Sequence, residues 1–337
     1  MKLKKFLSAV LCVILVLSCL SISAFAGSDN DKFQKGVGPV TNGYAIDYRY
    51  FSPVTKNDKT KYPLVIWLHG MGNGWTDGFQ LTASDISVWS RDEYQERFKG
   101  SGGAFIMAPR SLENKAMFWT DSLIQPLRSA IDDFIAKNKK NIDLSRIYIG
   151  GYSMGGRMTL KMAVAYPELF AAIFPICPKW VPDSAAAKKI SNIPIWLTGG
   201  VADPLVNYFS ELQPTWEVLM SESNVAKLCR FSVLEKTLYP NGKYAPTPHH
   251  SWYAVNYDMF SSSNGNYPSM TTVNGKGEAV SLTYPDGMIS WLSGFRSNYN
   301  GAAATGKGNS EAYTASLALN PITVIINFFK NLFSYIF

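Results

Sequence analysis

Arg146-Ile147-Tyr148-Ile149, Gly151-Tyr152-Ser153-Met154-Gly155 and Met158-Thr159-Leu160-Lys161-Met162-Ala163 follow one another in the chain. An apolar run leads into a glycine-flanked serine, and the serine opens into a helical pattern. Such a strand, turn and helix can hold a serine hydroxyl proud of a sheet edge. Glycines flank it because the serine backbone is strained and the turn packs too tightly for a β-carbon. Gly156 extends the small-residue run and lets the helix come close. A Gly/Ser-rich connection can also be plain turn chemistry, so the reading depends on finding a base, an acid and oxyanion donors elsewhere.

The chain has three histidines, His69, His249 and His250. In this kind of site the chain order is Ser, then Asp, then His. His69 precedes the serine. It ends the strand-like Leu64-Val65-Ile66-Trp67-Leu68 and starts the loop Gly70-Met71-Gly72, where its side chain is expected to brace the loop. The backbone N–H groups of Met71 and Met154 are the expected oxyanion donors. His249 and His250 lie in Thr247-Pro248-His249-His250-Ser251-Trp252, after the strand-like stretch 231–239, and one of them is the expected general base. The competing reading, two loop histidines holding a metal or nothing, lacks a further His or Cys close by in the chain. For the orienting acid, Ile193-Pro194-Ile195-Trp196-Leu197-Thr198-Gly199-Gly200 reads as a strand and Asp203 stands in the loop after it. Asp203 before Pro204 could equally be an Asx-turn former. Asp258 and Asp286 follow the histidines and fit the order less well.

These segments resemble the α/β-hydrolase superfamily over about Tyr62 to Trp291. The resemblance is to its branch of polyhydroxybutyrate depolymerases, feruloyl and acetylxylan esterases, and prolyl-oligopeptidase-like hydrolases. Besides the motifs above, it is carried by Ala108-Pro109-Arg110, Asp143-Leu144-Ser145, Tyr166-Pro167-Glu168-Leu169-Phe170, Pro175-Ile176-Cys177 and Gly199-Gly200-Val201-Ala202-Asp203. The resemblance implies a mostly parallel central sheet with helices on both faces, and acyl transfer at Ser153. The branch's base is followed by one residue, a small residue and a tryptophan, and this pattern selects His249. Gly199-Gly200 replaces the usual His-Gly, and the stretch from Met259 to Pro285 is longer than is usual there.

Function therefore reads as a serine esterase acting on acylated polysaccharides, hydroxycinnamates or short polyesters, chemistry that calls for no metal or organic cofactor. A prolyl-oligopeptidase-like peptidase is the first rival, although the chain before the fold is too short for the propeller such enzymes carry. A non-catalytic cell-surface binding module is the second.

At 337 residues, 47% of them hydrophobic, the chain suits one large α/β domain with tails. Met1-Lys2-Leu3-Lys4-Lys5, the apolar stretch from Phe6 to Leu20 and Ala24-Phe25-Ala26 read as a signal peptide over 1–26, implying a secreted protein. Its removal lowers the formal charge from +7 to about +4, too little and too scattered for a nucleic-acid surface. It also removes Cys12 and Cys19, leaving Cys177 and Cys229, and Cys177 reads as a small hydrophobe closing the strand 171–176.

The catalytic domain is expected over 27–300. Within it, 44–50 reads as an early edge strand, 62–68 and 104–108 as inner strands, 122–139 as an amphipathic helix and 286–296 as the closing helix. Asn274-Gly275 between β-prone stretches signals a hairpin, either a flap over the cleft or a surface excursion. Residues 301–320 read as a flexible linker. Residues 321–337 read as an amphipathic helix that either touches a membrane peripherally or packs on the body.

Overall fold

The computed structural model describes residues 28–56, 58–71, 77–111, 119–262, 265–266, 270–283 and 287–301. The leader, the linker and the C-terminal helix expected from the sequence lie outside them. Among the described residues no helix is long and apolar enough to cross a membrane.

Nine strands form one sheet: β1 (Gln34–Val37), β2 (Asp47–Phe51), β3 (Tyr62–Leu68), β4 (Phe105–Pro109), β5 (Ile142–Tyr152), β6 (Ala172–Ile176), β7 (Trp196–Gly200), β8 (Arg230–Leu234) and β9 (Met270–Asn274). Their order is β1-β2-β4-β3-β5-β6-β7-β8-β9. From β4 to β8 all neighbours pair in parallel. The pairs β1–β2, β2–β4 and β8–β9 are antiparallel.

Parallel strands buried on both faces need apolar side chains at every position rather than at alternate ones, and Tyr62-Pro63-Leu64-Val65-Ile66-Trp67-Leu68 is buried throughout. Alternate residues feed two cores. Leu64, Ile66 and Leu68 join one side; Val65 and Trp67 join the other. On the first side pack α1 (Ile124–Lys137), α2 (Met154–Ala165), α3 (Ser184–Lys189) and α4 (Gln213–Glu222). The apolar face expected of α1, through Leu127, Ala130, Ile131, Phe134 and Ile135, is the buried one. On the second side lie the segment 79–98, α5 (Trp252–Asn256) and α6 (Met288–Leu292). Cys177 belongs to the second core and Cys229 to the first, and both are free thiols.

Two expectations are corrected, and a third is borne out and placed. The strand read at 44–50 is β2, an inner strand, because β1 pairs outside it along Gln34–Val37. The strand read at 231–239 ends at Leu234, after which the chain turns toward the base loop. The hairpin around Asn274 exists, closed by Asn274 N–H to Glu278 O at 2.8 Å and Val280 N–H to Thr272 O at 2.9 Å. Its left-handed residue is Gly277 (φ +78°) rather than Gly275. Since β9 runs against β8, pairing Met270 with Leu234 and Asn274 with Arg230, this turn lies at the amino end of β8. It is therefore an extension of the sheet edge, remote from the strand ends that carry the site.

Candidate active site

The strand order reverses direction at β3 and β5: β4 pairs on one side of β3, and the chain then crosses back to lay β5 on the other. Ligands of open α/β sheets bind outside the carboxyl ends of strands at such a switch point. Ser153 follows β5 and His69-Gly70-Met71 follow β3.

Ser153 has φ +55° and ψ −117°, a conformation that non-glycine residues seldom adopt. Backbone contacts hold it there. Its N–H donates to Ile176 O at 2.9 Å, and its carbonyl accepts from Arg157 N–H at 2.9 Å. A β-carbon at Gly151 or Gly155 would meet Leu68 O well inside contact distance, and one at Gly156 would lie 2.5 Å from Ile176 O. The elbow is thus pressed between the ends of β3 and β6. Arg157 fixes the first turn of α2 by donating to Trp119 O at 3.0 Å and Asp121 Oδ1 at 2.6 Å.

His69 braces its loop. It is fully buried, its Nε2 accepts from Ser111 N–H at 3.1 Å, and its Nδ1 lies 2.6 Å from Gly70 O. Acceptance at Nε2 assigns the proton to Nδ1, which donates to Gly70 O. Burial lowers its pKa to about 4, so the ring stays neutral. Trp119 Nε1–H donates to His69 O at 2.9 Å. Met71 follows with its side chain exposed, and Met154 heads α2.

Asp203 and His249 come together. His249 Nδ1 lies 2.8 Å from Asp203 Oδ2, with both side chains buried. The other carboxylate oxygen, Oδ1, accepts from Leu205 N–H at 2.8 Å and Val206 N–H at 3.0 Å. The Asx turn suspected from Asp203-Pro204 therefore coexists with the histidine bond, one oxygen serving each. His250 instead faces Tyr239, its Nδ1 3.4 Å from the hydroxyl, and burial lowers its pKa. Asp258 is buried in an ion pair with Arg97, 3.0 Å away, and donated to by Met288 N–H.

The base loop is seated by shape. Pro248 lies so close over Gly200 that a β-carbon there would overlap it. The Trp252 ring sits 4.2 Å from that of Tyr152, tying the residue before Ser153 to the loop that carries His249. Sequence reasoning missed Cys177. Its Sγ, Asp203 and His249 offer ligand atoms all within 4.8 Å of one another, the group among the described residues with metal-ligand chemistry. Hydrogen bonding already occupies it: Sγ–H donates to His249 O at 3.6 Å while the imidazole bonds Asp203. The only signal in the sequence was a cysteine directly after a strand and before a proline.

Burial disfavours a charged His249, yet Cys177 and Asp203 outweigh it and raise the pKa to about 10.

A phospholipase/carboxylesterase family model matches residues 113–231, a span that includes Ser153 and Asp203. Among solved structures, a thermostable esterase is 30% identical, with TM-score 0.55 over 68% of this chain. The chain spans 60% of that esterase's length. An acylaminoacyl peptidase in complex with a chloromethyl ketone shares 16% identity over 68% of this chain and 41% of its own (TM-score 0.45). A ferulic acid esterase from Anaeromyces mucronatus, in complex with ferulic acid, shares 17% over 56% of this chain and 79% of its own (TM-score 0.43). At those two superpositions nothing further about this chain follows. No curated protein matches the chain in sequence.

Sheet order, the strained serine at the switch point and these similarities define one class of protein. The chain has the α/β-hydrolase fold, and its family-level likeness is to phospholipases and carboxylesterases.

Proposed function

We propose that this chain is a serine hydrolase of carboxylic esters. The observation that carries the reading is the buried Asp203–His249 bond of 2.8 Å, at the same carboxyl edge of the sheet as a serine held at φ +55° after β5. In the reaction, His249 accepts the Ser153 hydroxyl proton on Nε2 as the serine oxygen attacks the ester carbonyl. Asp203 holds Nδ1–H and so presents the other nitrogen to the serine. The oxyanion receives the N–H groups of Met154 and Met71. Met154 suits this because it is the first residue of α2, and first-turn N–H groups of a helix have no intrahelical partner and point at a ligand. Collapse of the intermediate expels the alcohol, which takes the proton back from His249. Water, deprotonated by the same histidine, then releases the acid.

Supporting an ester as the substrate are the family match over 113–231 and the 30% identity to a thermostable esterase. The substrate class we infer is an acylated polysaccharide, a hydroxycinnamate ester or a short polyester. Secretion through residues 1–26 and membrane contact through 321–337 complete the proposal.

The test is hydrolysis of acetyl, butyryl and feruloyl esters by the protein, alongside Ser153→Ala and His249→Ala. Removing either member of such a unit costs about 10⁴-fold or more in kcat. Full activity in either variant, or lack of covalent labelling by a fluorophosphonate, overturns the assignment. Activity kept by His249→Ala and lost by His250→Ala transfers the base to His250.

A further inference from the structure

Cys177 stands one residue past β6, fully buried, with φ +36°. A left-handed backbone favours glycine, yet the chain places a side chain there. The backbone of this residue is anchored to the acid's strand: Cys177 N–H donates to Thr198 O on β7 at 2.7 Å. The residue before it, Ile176, takes the N–H of Ser153. The thiol donates to the main-chain carbonyl of His249 at 3.6 Å, and its sulfur lies within 4.8 Å of the His249 and Asp203 side-chain ligand atoms. Ser153, the strand that leads to Asp203, and His249 are thus each bonded to the dipeptide Ile176-Cys177.

We propose that Cys177 is a positioning residue for the reaction proposed above, its thiol clamping the backbone of His249 so that the ring keeps its bond to Asp203. The base loop is otherwise held at Pro248 and Trp252, by Thr237 Oγ1 donating to Pro248 O at 3.4 Å and by the local turn from His250 N–H to Thr247 O at 3.3 Å, and the thiol adds a bond to the His249 carbonyl. The thiol reaches that peptide from the carboxyl end of β6. The groups that face the imidazole and can change its charge are Asp203 from the acid loop, Cys177 from the end of β6, and His250 beside it.

The inference rests on the esterase reading, and its test separates the two. Cys177→Ala removes the thiol, Cys177→Gly also relieves the backbone, and Cys177→Ser keeps a donor. Each is measured for ester kcat and KM and for the His249 titration by imidazole NMR, with His249→Ala to assign the signal. Loss of positioning of this kind lowers kcat about tenfold in the alanine and glycine variants, with KM changed less than about twofold. The His249 titration moves to lower pH in both, and serine, which keeps a donor to the His249 carbonyl, restores kcat.

Should alanine and glycine keep kcat and the His249 titration while only thermal stability changes, the thiol is merely filling space and the proposal fails. A moved titration in a protein that hydrolyses none of the esters would sink the esterase reading and leave the positioning role standing.

Discussion

Between Tyr152 and Gly156 the chain is held by its backbone; between Pro248 and Trp252 it is tied to the rest of the molecule largely by side chains. At the elbow, missing β-carbons let Leu68 O and Ile176 O close on the turn, and two main-chain hydrogen bonds clamp Ser153. At the base loop the partners are Gly200 beneath Pro248, Tyr152 against Trp252, Asp203 at the imidazole and the Cys177 thiol at the peptide. The elbow is built from five consecutive residues and two strand ends. The base loop is assembled from β5, β6, β7 and the segment after β8. The first should resist change in solution conditions and break on any added atom; the second should respond to charge.

The pH profile probes the second property and carries the largest expected effect. A base must be neutral to accept a proton, and His249 is raised from 6.5 to about 10. On the acid side of that value its neutral fraction rises about tenfold per pH unit, so kcat/KM climbs steeply from neutral into alkaline pH. Stability has the opposite slope. A folded-state pKa above the unfolded one stabilises fully below pH 6.5, and that contribution is lost as pH rises through about 10. Initial rates and urea midpoints at matched pH values check both. A kcat/KM plateau already reached at pH 6 would break the charge half of the comparison.

Next in size is the elbow's intolerance of volume. Gly155→Ala drives a β-carbon into Leu68 O and toward His69 O, both backbone atoms that cannot rotate away. Overpacking of this kind costs about 1–3 kcal/mol and more where backbone must shift, and a loss at or above the upper end is expected in urea unfolding. Gly200→Ala is the matching lesion in the other region, since it displaces Pro248. Pro248 sits in a turn and can move. The expected stability loss is therefore smaller, about 1–2 kcal/mol, while kcat falls because His249 moves with its neighbour. Equal stability losses in the two variants would erase the distinction.

The same contrast decides what the sequence disclosed. Ser153 was readable because strand, strained turn and helix are contiguous, and Tyr62–Leu68 because a doubly buried strand must be apolar throughout. Asp203 was readable from its place after a strand, and His249 only through the family's spacing to Trp252, since nothing local distinguishes it from His250. The pairing of His250 with Tyr239 belongs to tertiary structure. Cys177 was legible as a buried cysteine and illegible as the neighbour of His249, 72 residues on. The edge position of β1 was equally hidden, because Gln34-Lys35-Gly36-Val37 carries no alternating apolar pattern. For β9, a β-prone run fixed the strand, while its partner and the end of the sheet its turn occupies depended on pairing with β8.

The smallest effect sharpens the comparison from inside the elbow. Ser153 sits at φ +55°, and such a conformation costs a non-glycine residue of order 1–3 kcal/mol. Ser153→Gly removes both the hydroxyl and the reason for the strain, while Ser153→Ala removes only the hydroxyl. Both abolish turnover in the proposed mechanism. Their stabilities should diverge, with glycine about 1 kcal/mol above alanine, the lower end being expected because glycine also gives the unfolded chain more freedom. The comparison is clean because the Ser153 side chain caps nothing at the start of α2, so neither variant loses a helix cap. A glycine variant no more stable than alanine would show that the backbone at Ser153 is not strained, and the clamp formed by Leu68 O, Ile176 O and the flanking glycines would then be simple close packing.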